Sequence, residues 1–385
     1  MSDTLPKGWK WVKLGEIAEI KGGKRLPKGI LLTTKKTPYP YIRITDFKGH
    51  KIDLSNIMYV DEDTRKVISK YTVNKQDIIL SIVGTFGLCA IVPNELDNAN
   101  LTENCVKFVF DKTKIDTNFL YYHLISPDTQ ELIKSLDVGS TQPKLPIYNI
   151  QKIDILLPPI HEQKAIAEVL SSLDDKIDLL HRQNKTLEEM AMTLFRQWFI
   201  EPTKDGLPEG WEEIRLGEFF PVITGKKDAN FATDDGSYPF FTCSQKPLKA
   251  PSYSFDASAI LLAGNGEFNI KRYKGKFEAY QRTYVLIPYN SEYFNFLYLL
   301  MKFNLDEITG SFKGSVINYI TKDMITDFKF SLPKDRSSIK DKLLYFDRIY
   351  DKVDANTSQI QTLEKLRDTL LPKLMSGEVK IMNNE

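Results

Sequence analysis

The chain repeats its own opening, and that constrains its architecture more than any other feature. Leu5-Pro-Lys-Gly-Trp-Lys-Trp-Val-Lys-Leu-Gly-Glu16 returns as Leu207-Pro-Glu-Gly-Trp-Glu-Glu-Ile-Arg-Leu-Gly-Glu218, an offset of 202 (207 − 5). Over Leu5–Lys24 against Leu207–Lys226 nine of twenty positions are identical, Gly23/Gly225 and Lys24/Lys226 among them. Tyr39-Pro40-Tyr41 is echoed by Tyr238-Pro239-Phe240, and Asp77–Gly84 by Ser258–Gly264. Each copy closes on Leu-Pro, at Leu157-Pro158 and Leu332-Pro333, and a long amphipathic segment follows. A repeat of about 175–200 residues is too long for a solenoid. The pattern predicts two globular heads, each followed by a helix.

The helical segments carry heptad seams. The first reads Ile166, Leu170, Leu173, Ile177, Leu180, Asn184, Leu187, Ala191, Leu194, Trp198. The second reads Phe346, Ile349, Val353, Asn356, Ile360, Leu363, Arg367, Leu370, Leu374, with Arg367 as a flaw. Alternating steps of three and four are the coiled-coil pattern. Pro158-Pro159 and Pro202 mark the ends of the first helix, and Gly377 is a cap for the second. An antiparallel pairing with seams in register puts Asn184 opposite Asn356 and Leu180 opposite Ile360. A buried Asn pair costs stability and specifies register. Two ordinary polar interruptions would give the same sequence.

The heads read as α+β. Short Ile/Val/Tyr/Phe runs such as Pro40–Ile44, Ile78–Val83, Cys105–Phe110 and Tyr284–Pro288 are broken by turn residues. Short helices are expected at Thr117–Ile125 and Glu292–Phe303. The implied boundaries are 1–160 and 201–336 for the heads, with 161–200 and 337–385 for the helices.

The 385 residues give a net charge of +1, so no overall electrostatic pull acts on nucleic acid. Three cysteines (Cys89, Cys105, Cys243) without a Cys-x-x-Cys pair point to a reducing compartment and no structural zinc. No signal peptide is expected, and no apolar run approaches the ~18 residues of a membrane span. A cytoplasmic location follows as the expectation. Catalytic patterns are missing: there is no phosphate loop, and Leu157-Pro158-Pro159-Ile160 lacks the polar first residue of an amino-methyltransferase. Gly264-Asn265-Gly266 reads as a turn. The four histidines are scattered, and Asp174-Asp175-Lys176 reads as a solvated helix face. No cofactor, metal or catalytic residue is expected.

Charge is placed unevenly. Residues 1–51 hold twelve Lys/Arg against four Asp/Glu, interleaved with Trp9, Trp11, Tyr39 and Tyr41. Lys271, Arg272, Lys274, Lys276 and Arg282 fall within sixteen residues of the second copy. Local basic surface on a neutral chain suits phosphate contact by one face, although an ordinary lysine-rich surface has the same composition.

These features together resemble the specificity subunit of type I restriction–modification systems. The carriers are the duplicated opening, Tyr41-Ile-Arg43-Ile-Thr45-Asp46, Gly139-Ser-Thr-Gln142-Pro-Lys-Leu145, Leu157-Pro-Pro-Ile-His-Glu162-Gln163-Lys-Ala-Ile166 and Leu371-Pro-Lys-Leu-Met-Ser-Gly377. The resemblance implies two target-recognition domains related by a pseudo-two-fold axis and separated by an intramolecular antiparallel coiled coil. Each head would read half of a bipartite site in double-stranded DNA. Two methyltransferase subunits would dock on the scaffold, and two translocase–endonuclease subunits can join them. The chain itself would be non-catalytic, with helix length setting the spacer. The competing readings are a coiled-coil assembly adaptor that binds only protein and an unrecognised nuclease.

The second copy departs from the pattern. Gly310-Ser-Phe-Lys-Gly-Ser315 replaces Gly-Ser-Thr-Gln-Pro-Lys, and Lys334-Asp-Arg-Ser-Ser338 replaces Pro-Ile-His-Glu-Gln. Thr242-Cys-Ser244 stands for Ile42-Arg43-Ile44. Candidate DNA contacts in the first head are Lys24, Arg25, Arg43, Thr45, Thr85, Phe86, Thr141, Gln142 and Lys144. In the second they are Lys226, Lys227, Ser244, Gln245, Asn265, Lys271, Arg272, Arg282 and Lys313. Arg suits guanine edges, Asn and Gln suit adenine, and Lys mostly meets phosphate. Arg43 and Gln142 lead the set; Trp9 and Trp211 are read as packing residues.

Overall fold

The computed structural model describes residues 5–137, 143–310 and 319–381. The chain divides into two units, Met1–Asp178 with Gln361–Glu385, and Leu179–Ile360. Each is α+β.

In the first unit the opening motif forms a strand, Lys10–Lys13, antiparallel to Asp154–Leu157 with Trp11 opposite Leu156. Leu14 is fully buried, and its N–H donates to the Ile153 carbonyl at 2.8 Å. The Glu16 carboxylate accepts from the Lys13 N–H at 3.2 Å and closes the turn. The second unit repeats this local chemistry: Trp211–Arg215 pairs with Lys329–Pro333, Leu216 N–H meets the Phe328 carbonyl at 2.9 Å, and Glu218 accepts from Arg215 N–H at 3.1 Å. The duplicated Leu-Gly-Glu is thus a clasp that ties each head's first strand to its last.

The first head holds two four-stranded sheets. One runs Glu19–Gly22, Cys105–Val109, Ile78–Ser81, Cys89–Ile91; the other runs Met58–Tyr59, Pro40–Ile42, Ala99–Leu101, Thr72–Val73. The strand Ile78–Ser81 is apolar without alternation because it is covered on both faces. Ile78 and Leu80 join the core that includes Phe119 and Leu120, whereas Ile79 joins a second core with Ile42, Val92 and Leu101. The second head builds one six-stranded sheet ordered Val222–Thr224, Thr283–Leu286, Phe255–Ala263, Ile270–Ala279, Tyr238–Phe241, Leu248–Ala250. There Ile260 and Leu262 face one core and Ala259 and Leu261 the other.

Gly23 and Gly225 are kept because backbone crosses them. A Cβ at Gly23 would lie 2.0 Å from the Thr102 carbonyl oxygen, and one at Gly225 would lie 2.1 Å from that of Ala279. The strand ladders also re-align the copies. Ile42 is opposite Leu101 and Phe241 opposite Ala279, both in parallel pairs, so Phe241 rather than Thr242 is the counterpart of Ile42. Ser81 pairs with Cys105 and Ala263 with Thr283, so Gly264 corresponds to Ile82 and Gly266 to Gly84.

The long helices are Ile160–Phe195 and Lys340–Met375. A wider π turn, Arg196–Ile200, prolongs the first, so Trp198 belongs to that turn. Short helices form at Thr117–Ile125 and Phe294–Phe303; the second begins two residues later than expected, after a 3-10 turn at Ser291–Tyr293 capped by Asn290. Each head's core extends into helix ends of its own unit. Ile166, Leu170, Leu371 and Leu374 join the first, and Phe195, Phe346, Ile349 and Val353 the second.

The helices run antiparallel within each unit. In the second, Asn356 Nδ2 donates to Asn184 Oδ1 at 2.8 Å, and Asn184 Nδ2 donates to the Val353 carbonyl at 3.3 Å. In the first, two expectations are corrected. Arg367 is no flaw: its Nη1 donates to Asp174 Oδ1 at 2.7 Å. Asp174 is correspondingly not a solvated face residue; its other oxygen accepts from Tyr122 Oη at 2.7 Å, and the side chain is only 15% exposed. The interruption in one seam is answered by an acid on the other helix and a phenol from the head.

The Glu-Gln segment makes its contacts within the protein as well. Gln163 is buried; its Nε2 donates to the carbonyls of Pro158 (2.8 Å) and Lys114 (3.1 Å), and its Oε1 accepts from Asp116 N–H at 2.9 Å. Glu162 accepts from the indole of Trp9, itself buried, at 2.9 Å. In the second copy Arg336 makes this joint, donating to the Pro333 carbonyl and to Glu212 at 2.9 Å. The two motifs are different solutions to fastening a strand to a helix.

Candidate nucleic-acid interface

A groove opens at the same place in each head. In the first it has a volume of about 640 Å³ and is lined by Arg25, Val83, Glu103, Asn104, Lys144 and Tyr148, among others. In the second it has about 450 Å³ and is lined by Thr224, Asn265, Gln281, Arg282, Tyr284 and Tyr319, among others. Backbone hydrogen bonds make the two sites equivalent. Ile82 N–H donates to the Asn104 carbonyl and Gly264 N–H to the Arg282 carbonyl, each at 2.8 Å. Leu145 N–H donates to the Ile82 carbonyl and Ile320 N–H to the Gly264 carbonyl, each at 2.9 Å. Val83 bridges Lys144 as Asn265 bridges Tyr319. Equivalent positions therefore carry Asn104 and Arg282, Glu103 and Gln281, Val83 and Asn265, Lys144 and Tyr319.

The grooves differ in floor. Tyr284, which follows the same strand position as Val106, donates from Oη to the Ile320 carbonyl at 2.6 Å. Its ring lies 3.1 Å from where a Cβ of Gly264 would be, so the small residue at 264 accommodates the large one at 284. In the first head Ile82 and Val106 reverse the sizes.

The groove unites four of the expected contacts, Arg25, Lys144, Asn265 and Arg282. Arg25 is exposed and pairs with Glu103 at 2.6 Å, an arrangement that leaves most of its guanidinium open to solvent. Lys144 is exposed, with its backbone N–H on Asp137 Oδ1 at 2.9 Å. Asn265 Oδ1 accepts from the Cys243 thiol at 2.9 Å. Arg282 is exposed, and its guanidinium has no partner among the described residues.

Other expected contacts are engaged within the protein. Arg43 is bound to its own turn: Nη2 and Nε donate to the two oxygens of buried Asp46 at 2.5 and 3.1 Å, and Nη2 also reaches the Asn56 carbonyl at 2.8 Å. Its fork is filled by a carboxylate and holds the turn Ile44–Asp46. Arg272 is 9% exposed and donates to both oxygens of Asp354 on the C-terminal helix, at 2.7 and 2.9 Å, with its guanidinium carbon 4.5 Å from the Tyr350 ring centroid. It fastens the head to the helix. Lys271 is half-buried, donates to Asn269 Oδ1, and burial lowers its pKa. Phe86 packs against the first core.

The remainder lie at the surface. Lys24 stands 5.5 Å over the Tyr71 ring and Lys227 4.4 Å over that of Phe231. Thr45, Thr85, Lys226 and Gln245 are exposed, and Ser244 Oγ donates to the Lys246 carbonyl at 2.8 Å. Thr141, Gln142 and Lys313 lie outside the described residues. Trp211 is half-buried against the second core. Sequence reasoning missed Glu103, Asn104, Gln281, Tyr148 and Tyr319. Their signal is the ladder alignment, which the unequal loops between copies conceal.

Two histidines are packing groups. His123 is buried with Nδ1 3.1 Å from Thr129 Oγ1, and burial pushes its pKa down to about 4. His50 Nδ1 accepts from Cys89 N–H at 3.3 Å and is likewise shifted down by burial. Among the described residues no group of three or more His, Cys, Asp or Glu is placed to hold a metal ion, and no helix is long and apolar enough to cross a membrane.

Known proteins carry the same design. The chain is 44% identical over 176 residues to the type I restriction enzyme EcoDI specificity subunit of Escherichia coli, which is 45% of this chain and 39% of that protein. It is 27% identical over 429 aligned positions to the type I restriction enzyme MjaIX specificity subunit of Methanocaldococcus jannaschii, covering 98% of this chain and 95% of that one. The crystal structure of a type I restriction-modification system S subunit from M. genitalium shares the fold, with a TM-score of 0.65 at 20% identity over 100% of this chain and 98% of that chain. The family model for the type I restriction modification DNA specificity domain matches both copies, at residues 6–189 and 208–365, and the chain belongs to that family.

Proposed function

We propose that the chain is the non-catalytic DNA reader and scaffold of a cytoplasmic type I restriction–modification complex. Each head reads one half of a bipartite duplex site, and the helical segments set the unread spacer. Methyltransferase subunits, two per chain as the duplication suggests, dock on the scaffold and carry out the methyl transfer. Restriction–translocase subunits can join that assembly. In the same reading 1–160 and 201–336 are the target-recognition domains, with 161–200 and 337–385 as the scaffold helices.

The observation that carries this reading is a groove framed twice by the same backbone hydrogen bonds and filled by different polar side chains. A module that only held proteins together has no use for one frame with two chemistries; a reader of two different half-sites does. Exposed Arg25, Lys144 and Arg282 at the grooves supply the positive charge that meets phosphate.

The experiment is a methylome. The chain is expressed with a type I methyltransferase subunit in a host lacking both, and modified bases are sequenced. A new bipartite motif with a fixed spacer is the expected result. Adding one heptad to each long helix should lengthen the spacer and leave both half-sites intact. Methylation of the original motif by the lengthened chain would refute the spacer role, and absence of any motif from a complex that assembles would refute the reading role.

A further inference from the structure

Within each groove one position stands out by what surrounds it. Glu103-Asn104 and Gln281-Arg282 are both two-residue turns leading directly into a strand, Cys105–Val109 and Thr283–Leu286. In both turns the first side chain is tied down. Glu103 accepts from Arg25 at 2.6 Å and from Thr102 Oγ1 at 3.0 Å; Gln281 Nε2 donates to Asp228 at 2.6 Å. In both turns the second residue is held by its main chain, through the 2.8 Å bond that its carbonyl accepts from Ile82 or Gly264. The residue lines the groove, and its side chain has no partner among the described residues. A rigid backbone that displays one uncommitted, planar, hydrogen-bonding side chain is what direct readout requires. Arg43 and Arg272, whose donors are filled by carboxylates, lack that freedom.

We infer that Asn104 and Arg282 are the equivalent base-reading residues of the two heads, and that their difference in chemistry is one source of the difference between the half-sites. Asn104 presents an amide matched to the N6/N7 edge of adenine. Arg282 presents a fork matched to the O6/N7 edge of guanine. The inference rests on the proposed reader role and adds the residue and the base class in each head.

The methylation complex assembled with the full chain tests it, alongside Asn104→Ala and Arg282→Ala chains. Asn104→Ala should make one adenine position of one half-site degenerate. Arg282→Ala should make one guanine position of the other half-site degenerate. Each loss of discrimination should be about 5- to 150-fold, the range of one bidentate contact. A motif unchanged in both variants overturns the assignment. So does uniform weakening across all sequences with a salt slope smaller by about 1, which marks a phosphate contact. A variant that methylates nothing is read by selecting bound sequences from DNA randomised in that half-site; enrichment of the unchanged half-site overturns the assignment. If an alanine variant melts below the parent, Asn104→Ser or Arg282→Lys replaces it under the same criteria. Absence of a motif with the unaltered chain is a failure of the reader role, separable from these outcomes.

Discussion

The two heads share a main-chain plan and differ in how side chains occupy it. The strand-closing hydrogen bond at Leu14 or Leu216 and the groove frame at 82 or 264 are made by backbone atoms, and the crossing at Gly23 or Gly225 leaves room only for glycine. Substitution leaves backbone donors and acceptors in place, so both copies keep those bonds, and both keep the glycine at the crossing. What lies between has diverged. The second head runs Ile270–Ala279 as one strand where the first breaks into Cys89–Ile91 and Ala99–Leu101, so one sheet replaces two. Ile82 with Val106 becomes Gly264 with Tyr284, an exchange of large and small residues that keeps the site filled. The fastening to the helices differs too. Tyr122, Asp174 and Arg367 make it in the first unit, and Arg272 on Asp354 in the second. A duplicated module can therefore change its chemistry freely wherever the frame is main chain.

The largest effect should come from breaking the second unit's fastening. Asp354→Ala leaves the Arg272 guanidinium, 9% exposed, without its carboxylate, and should cost about 3 kcal/mol. Hydrogen exchange on the full chain should place the loss in the second unit. Asp174→Ala should place a comparable loss in the first.

Acid should then separate the heads. His123 stays neutral when folded because its pKa falls from 6.5 to about 4, so only the unfolded chain takes up a proton between those values. Its contribution to stability is whole above pH 6.5 and is lost as pH falls towards 4, about 3 kcal/mol in all. His50 is shifted the same way. The second head, residues 201–336, contains no histidine. Exchange protection should therefore decline between pH 6.5 and 5 in the first head and stay level in the second. His123→Gln should flatten the first head's curve; an unchanged decline would trace it to other groups.

A third test concerns the groove floor. Gly264→Ala puts a Cβ 2.6 Å from the Arg282 carbonyl and 3.1 Å from the Tyr284 ring, and should cost about 1–3 kcal/mol, read as a lower melting temperature. The matching change in the first head, Ile82→Ala, should instead open space.

The smallest effect is expected at the helix pair. We propose that Asn184 and Asn356 specify register. Asn356 is buried, with its Oδ1 lacking a partner among the described residues, so changing both to Leu should add about 1 kcal/mol of stability and lose uniqueness of pairing. A double variant that stays monomeric and holds the same register, read by cross-linking of engineered cysteine pairs, would end that proposal.

Much was legible in the chain alone. The repeat announced two heads, because the clasp it encodes is local in each copy and needs the same Leu, Gly and Glu. The seam residues announced two long helices, because burial along one helical face imposes its period on sequence. The site was legible only in part. Arg43 and Arg272 look like free cations in a linear reading, yet Asp46 is three residues from Arg43 and Asp354 is 82 from Arg272. Asn104 is not legible because nothing near it in sequence reveals that the Ile82 N–H, just past the strand Ile78–Ser81, pins its carbonyl.

What the sequence by itself determined is periodicity, duplication and the order of elements, since each follows from short-range pattern. The tertiary structure alone decided which charged side chains are occupied and which are free. It also decided which residue of one head corresponds to which of the other. Those are matters of pairing across long loops, and strand register and carboxylate proximity assign them only once the chain has closed on itself.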